Sequence, residues 1–133
     1  MQCLFEIGPG LNLVLVLQNL SVRQMCSSTL LQFLLDYPVG EKRLKHHIHK
    51  LIANLGYEHE AGRLAAIDLA TVLIAKLPRE VLAEYAPVIF MPLVIRLVSD
   101  GSSKCREEVG KTITELVKVC ACSFCLEQSI HWC

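Results

Sequence analysis

One stretch of the chain concentrates its cationic chemistry: Lys42-Arg43-Leu44-Lys45-His46-His47-Ile48-His49-Lys50. On a helix, Lys42, Lys45, His46 and His49 share one face, and Arg43, His47 and Lys50 share another, with both faces flanking an apolar stripe. Mobile cations of this kind suit RNA phosphates or an acidic protein surface, because phosphate contacts need charge within reach rather than one fixed geometry. No aromatic residue is interleaved to stack bases. The chain as a whole carries 13 Lys+Arg against 13 Asp+Glu. A solvated helix face accounts for the same residues, and is the plainer reading of a neutral chain.

The other clusters are weaker. His46 and His49 stand at i, i+3 but lack the glutamate context of a zinc helix, so we read them as surface. Near the C-terminus, Cys120, Cys122, Cys125, His131 and Cys133 supply enough donors for tetrahedral zinc. The second ligand pair is compressed to His131-x-Cys133, and loose thiols explain the tail more simply. Glu58-His59-Glu60 puts a carboxylate beside an imidazole, the pair that acid–base catalysis uses. Negative charge at a helix start explains it better. No Gly-rich phosphate loop, nucleophile elbow or paired-carboxylate motif is present. The expectation is a non-enzyme with no metal, no cofactor and no small-molecule substrate.

Apolar spacing and punctuation place five helices. They span about 21–35, 41–55, 60–77, 79–98 and 103–121, separated by Pro38, Gly56, Pro78 and the turn 99–103. The fourth carries Pro87 and Pro92, which predicts a restart near Pro87 and a kink at Pro92. On the fifth, Glu107, Lys111, Glu115 and Lys118 form a solvated row of opposite charges. Only the stretch 13–17 looks strand-like. Hydrophobic residues make up 53% of the 133 and charged residues 20%, which excludes a disordered chain. The most apolar runs, 11–17 and 86–95, fall short of the roughly 20 residues a membrane span needs. The first ten residues lack a basic n-region, and seven cysteines is an odd number, so we expect reduced thiols in an intracellular protein.

The helices repeat. Arg23 and Arg63 lie 40 residues apart, and Arg63 and Arg106 lie 43 apart. Cys26, Ala66 and Val109 follow each arginine by three positions, and Leu30, Ala70 and Ile113 by seven. Phe33, Leu73 and Leu116 follow by ten, and Leu34, Ile74 and Val117 by eleven, all on one helical face. Ile48, Leu51, Ile52 and Leu55 likewise match Met91, Val94, Ile95 and Val98. A two-helix unit at this period predicts an all-α, HEAT/armadillo-like solenoid of about two and a half helix pairs over 21–121. Segments 1–20 and 122–133, the latter a cysteine-containing tail, flank it. Arg23, Arg63 and Arg106 are expected to tie turns and neighbouring repeats together, with Pro92 and Asp100 shaping the last pair. Fewer than about three repeats seldom stand alone. Uncovered apolar residues at the ends, Leu30 with Phe33 or Leu34 and Ile113 with Leu116 and Val117, predict a marginal fold that self-associates or leans on a partner.

Phe90-Met91-Pro92-Leu93 through Ser99-Asp100, followed by Cys105-Arg106, resembles the general HEAT pattern. The blocks Leu35-Asp36-Tyr37-Pro38-Val39-Gly40 and Tyr57-Glu58-His59-Glu60-Ala61-Gly62-Arg63 are more particular. They resemble the small-subunit processome component 20 family, also called the down-regulated-in-metastasis family. That resemblance covers roughly 21–116 and implies an internal slice of a very large HEAT-repeat protein. It implies a nucleolar or nuclear scaffold in small-subunit (18S) pre-rRNA processing, with protein partners in a ribonucleoprotein complex and pre-ribosomal RNA nearby. Lys42, Arg43, Lys45, His46, His49 and Lys50 are the candidate contact surface. The alternatives are a HEAT adaptor unrelated to ribosomes, or a truncated product without function.

Overall fold

The computed structural model describes residues 21, 25, 28, 29, 32 and 33 and the continuous stretch 41–129, with side chains from 42 to 121. The strand-like stretch 13–17, Arg23 and Cys26 lie outside the described residues. Those before 41 are all helical, and Thr29 Oγ1 donates to the Met25 carbonyl at 2.9 Å. Four helices follow: α1 Glu41–Asn54, α2 Glu60–Lys76, α3 Arg79–Ser99 and α4 Ser103–Ser129. The protein is all-α, and no strand occurs among the described residues. The helices follow one another across short turns, and α3 pairs with α4, the helix–turn–helix order of HEAT-like repeats.

Two compact units divide the chain, Met1–Leu69 and Ala70–Cys133. In the first, Ile48, Leu51 and Leu55 form the buried stripe of α1, and Ala65, Ala66, Ile67 and Leu69 are buried on α2. In the second, α3 packs against α4, burying Leu82, Tyr85, Ile89 and Leu93 from one helix and Cys105, Val109, Thr112 and Leu116 from the other. Both sets advance by three or four residues, the spacing of a single helical face. Thr112 and Thr71 share a hydrogen bond of 2.7 Å between their hydroxyls, and Thr112 also donates to the Glu108 carbonyl at 2.9 Å. A buried hydroxyl so partnered costs the core little.

Three expectations need correction. First, α3 does not restart at Pro87: it is continuous from Arg79 to Ser99, with Pro87 and Pro92 both inside it. Each proline frees the carbonyl four residues before it, here those of Ala83 and Val88, and both residues are exposed, so water can satisfy them. The buried stripe of Leu82, Tyr85, Ile89 and Leu93 passes both prolines without interruption. Second, counting all 21 residues, α3 is long and apolar enough to cross a bilayer by length and composition; reading the run only from 86 to 95 undercounted it. Of that apolar stretch 22% is buried, along the stripe that meets α4. Third, helical backbone does not stop at 121 but runs on to Ser129. The side chains of Cys122 and Cys125, and all of His131 and Cys133, lie outside the described residues.

Candidate basic interface and the arginine-held turns

The short repeat of α1 separates its two chemistries cleanly. Ile48 and Leu51 are buried, while Lys42, Arg43, Lys45, His46 and His49 are exposed, and His47 and Lys50 are half-buried at the margin. Burial of the apolar stripe fixes the rotation of the helix and so aims the cations outward. Among the described residues, no ion pair to a carboxylate holds any of these cations. The His46 and His47 rings meet edge to face, with centroids 5.9 Å apart. Burial, then the charges of His46, Lys50 and Arg43, push the His47 imidazole below its ordinary pKa. Burial is the larger cause, and the neighbouring cations add to it, since each added proton also meets charge of its own sign. An anion seated here would relieve the crowding.

The two described repeat arginines make one contact in common. Arg63 Nη1 donates to the Tyr57 carbonyl at 3.0 Å and to the Glu58 carbonyl at 2.8 Å. Arg106 Nη1 donates to the Asp100 carbonyl at 2.6 Å. Each therefore reaches back six residues to the turn that precedes its own helix. Asp100 is buried; its Oδ1 accepts from the Ser102 amide at 2.9 Å, and Ser102 Oγ accepts from the Cys105 amide at 3.2 Å. These bonds satisfy amides that the first turn of α4 leaves free. Arginine is suited to the task because one guanidinium can serve two acceptors.

The sequence reading missed Gly62 as part of this arrangement. A Cβ at position 62 would fall inside the van der Waals envelope of Tyr57 Cδ1 and lie 2.9 Å from Cε1. The Tyr57 ring also meets His59 edge to face at 5.7 Å, so the Glu58-His59-Glu60 triplet is a helix entry. His59 contributes its carbonyl to the amides of Gly62 and Arg63 at 3.1 Å. The available signal was a glycine one turn into a helix, where glycine is otherwise unfavourable. On the outer face of α4, Lys111 pairs with Glu107 at 3.0 Å and Glu108 at 2.8 Å, and Lys118 with Glu115 at 2.7 Å. Hydrogen bonds that Lys111 donates to the Glu108 and Glu107 carboxylates raise its pKa. Among the described residues, no three potential ligands come together as a metal site.

Comparison with known proteins adds the context that geometry lacks. No protein-family profile matches the chain. U3 small nucleolar RNA-associated protein 20 of Schizosaccharomyces pombe is 38% identical over 93 residues, which is 70% of this chain and 4% of that protein. The chain resembles a short segment of that protein. Its counterpart in Saccharomyces cerevisiae, of the same name, is 27% identical over 96 residues, or 72% of this chain and again 4% of the relative. The chain thus spans about one twenty-fifth of the length of the curated relatives it matches.

Proposed function

We propose that the chain is a non-catalytic HEAT-repeat scaffold segment acting in ribosome biogenesis, within the nucleolar ribonucleoprotein assembly that processes small-subunit (18S) pre-rRNA. The observation that carries the proposal is the 38% identity to a protein named for association with the U3 small nucleolar RNA, maintained over 70% of the chain. The geometry is compatible with scaffolding: a helix–turn–helix order, turns locked by arginine, and one cationic helix face open to a partner. Lys42, Arg43, Lys45, His46, His49 and Lys50 are the surface on which we place RNA or an acidic protein of the same complex. Their charge suits contact with phosphate backbone, and they carry no base-reading apparatus. The cell compartment implied is the nucleolus.

The test is to express the tagged full chain and measure the RNA that co-purifies. U3 small nucleolar RNA should be enriched over other small nuclear RNAs. In vitro, Lys42→Gln, Lys45→Gln and Lys50→Gln together should weaken RNA binding for all sequences alike and make its salt dependence shallower. Absence of U3 enrichment would transfer the chain to an adaptor role outside ribosome assembly. Enrichment with unchanged RNA affinity in the triple variant would keep the assembly and move the RNA contact off α1.

A further inference from the structure

The turn between α3 and α4 contains the only Asp-Gly pair in the sequence, Asp100-Gly101. Aspartate followed by glycine is the dipeptide most open to succinimide closure, because no side chain shields the attacking amide. The turn itself does not require the glycine. No glycine among the described residues has a positive φ, and a Cβ at position 101 would meet nothing within 4 Å. In the closure the Gly101 nitrogen attacks the Asp100 carboxyl carbon. A nitrogen–carbon bond forms, the amide proton is lost, and the carboxyl hydroxyl departs as water. Water then opens the ring. When it adds at the main-chain carbonyl, that carbon's bond to the Gly101 nitrogen breaks and Gly101 stays attached through the side chain. The product is isoaspartate, at unchanged mass, since the water lost in the first step returns in the second.

Closure needs two rotations, one of the peptide plane after Asp100 and one of its side chain. Both are held. Asp100 has φ −69° and ψ 132°, which turns the Gly101 nitrogen off the side of Cα that carries the carboxyl group. Swinging that nitrogen across also swings the Asp100 carbonyl, because the two lie in one rigid plane. That carbonyl is the oxygen that accepts from Arg106 Nη1 at 2.6 Å. The side chain is anchored in turn, through Oδ1, to the Ser102 amide at 2.9 Å, and Asp100 is only 5% exposed. We propose that Asp100-Gly101 is a latent isoaspartate-forming site, held closed by the hydrogen bond from Arg106. The reaction runs from the minor population in which the turn has opened.

The test is to incubate the full chain at neutral pH, native or in guanidinium chloride, and then digest it with trypsin. Isoaspartate splits the peptide from Leu97 to Lys104 into two chromatographic peaks of equal mass, one of which an isoaspartyl methyltransferase labels. A minor open state holds at most about a tenth of the molecules, so the native chain should react at least about tenfold more slowly than the unfolded one. Arg106→Met should speed the reaction of the folded chain about five- to thirtyfold, with helical circular dichroism retained. Adding Gly101→Ala, which the turn has room for, should suppress the product in every state. Where Arg106→Met does not fold, Arg106→Lys takes its place: one ammonium does not reproduce the guanidinium fork, and a smaller rise is expected. Equal rates in native and unfolded chain, or no isoaspartate even when unfolded, overturn the proposal. So do a folded arginine variant that reacts no faster than the native chain and a rise that survives Gly101→Ala.

Discussion

Gly62 and Tyr57 should behave as one unit, and a double-mutant cycle reads this directly. In Gly62→Ala the new methyl meets the Tyr57 ring at Cδ1, at 2.9 Å from Cε1 and at 3.3 Å from Cγ. The contacts run along the ring's near edge and include its root, so rotating one end of a flexible chain does not relieve them. The ring is also confined, because its own carbonyl is held by Arg63 and its edge rests on His59. Overpacking of this kind costs about 1–3 kcal/mol. Against that, alanine is the better helix former by up to about 1 kcal/mol. Gly62→Ala alone should therefore destabilise by about 1 kcal/mol. With Tyr57→Ala already present the clash is gone and only propensity remains, so the same change should stabilise by about 0.5–1 kcal/mol. The coupling between the sites should be about 1–3 kcal/mol, within the range for residues in contact. Thermal unfolding followed by circular dichroism gives all four corners, at roughly 3–5 °C per kcal/mol for a chain of this size. If Gly62→Ala raises the midpoint equally in both backgrounds, the ring is not where its contacts place it.

Arg63→Met and Arg106→Met should each cost about 1–2 kcal/mol, since each leaves turn carbonyls without their charged donor; urea titration checks this, and Arg106→Lys should recover only part of the loss. His47 sets a pH dependence. Its folded pKa lies below the unfolded value, so the unfolded chain binds more protons and stability falls as pH drops through the ordinary histidine range. Midpoints measured from pH 8 to pH 5.5 should decline, and His47→Gln should flatten that decline. Thr112→Val should cost about 1 kcal/mol by removing a hydrogen bond to Thr71 at a buried position, an effect that denaturant unfolding would register and that should shrink in a Thr71→Val background.

Much of this architecture can be read from local chemistry. Pro78 and the Asp100 turn end helices because a missing N–H or a side chain competing for amides acts within a few residues. The turn contacts of Arg63 and Arg106 follow from equally local spacing, a fixed offset after the turn, whereas a tie between neighbouring repeats depends on packing that spacing does not give. The continuity of α3 is not legible, because proline's local penalty depends on whether the freed carbonyl reaches water, and tertiary packing decides that. The equivalent repeat positions Leu55 and Val98 likewise hide unequal burial, 2% against 79% exposed, which depends on what lies beside each helix. The basic face of α1 follows from spacing alone. What it touches does not, because cations without aromatic or bidentate partners carry no signature of one anion over another. The tightness between Gly62 and Tyr57 needs coordinates, since a glycine's purpose is in the atoms that fill its space.

The acceptors that Arg63 and Arg106 choose have a consequence for variation. The turn acceptors named above are main-chain oxygens, which every residue type possesses. One turn presents Tyr57 and Glu58 and the other presents Asp100, and the same guanidinium grip serves both. The clasp is thus blind to the identity of the residue it holds. Saturation mutagenesis of the turns should find Glu58 permissive to most polar replacements while the arginine at the fixed offset tolerates almost none. Within such a bend the positions held only through their carbonyls, such as Glu58, are free to diversify into contact surfaces, whereas Asp100 and Ser102, whose side chains bond the turn's amides, are not.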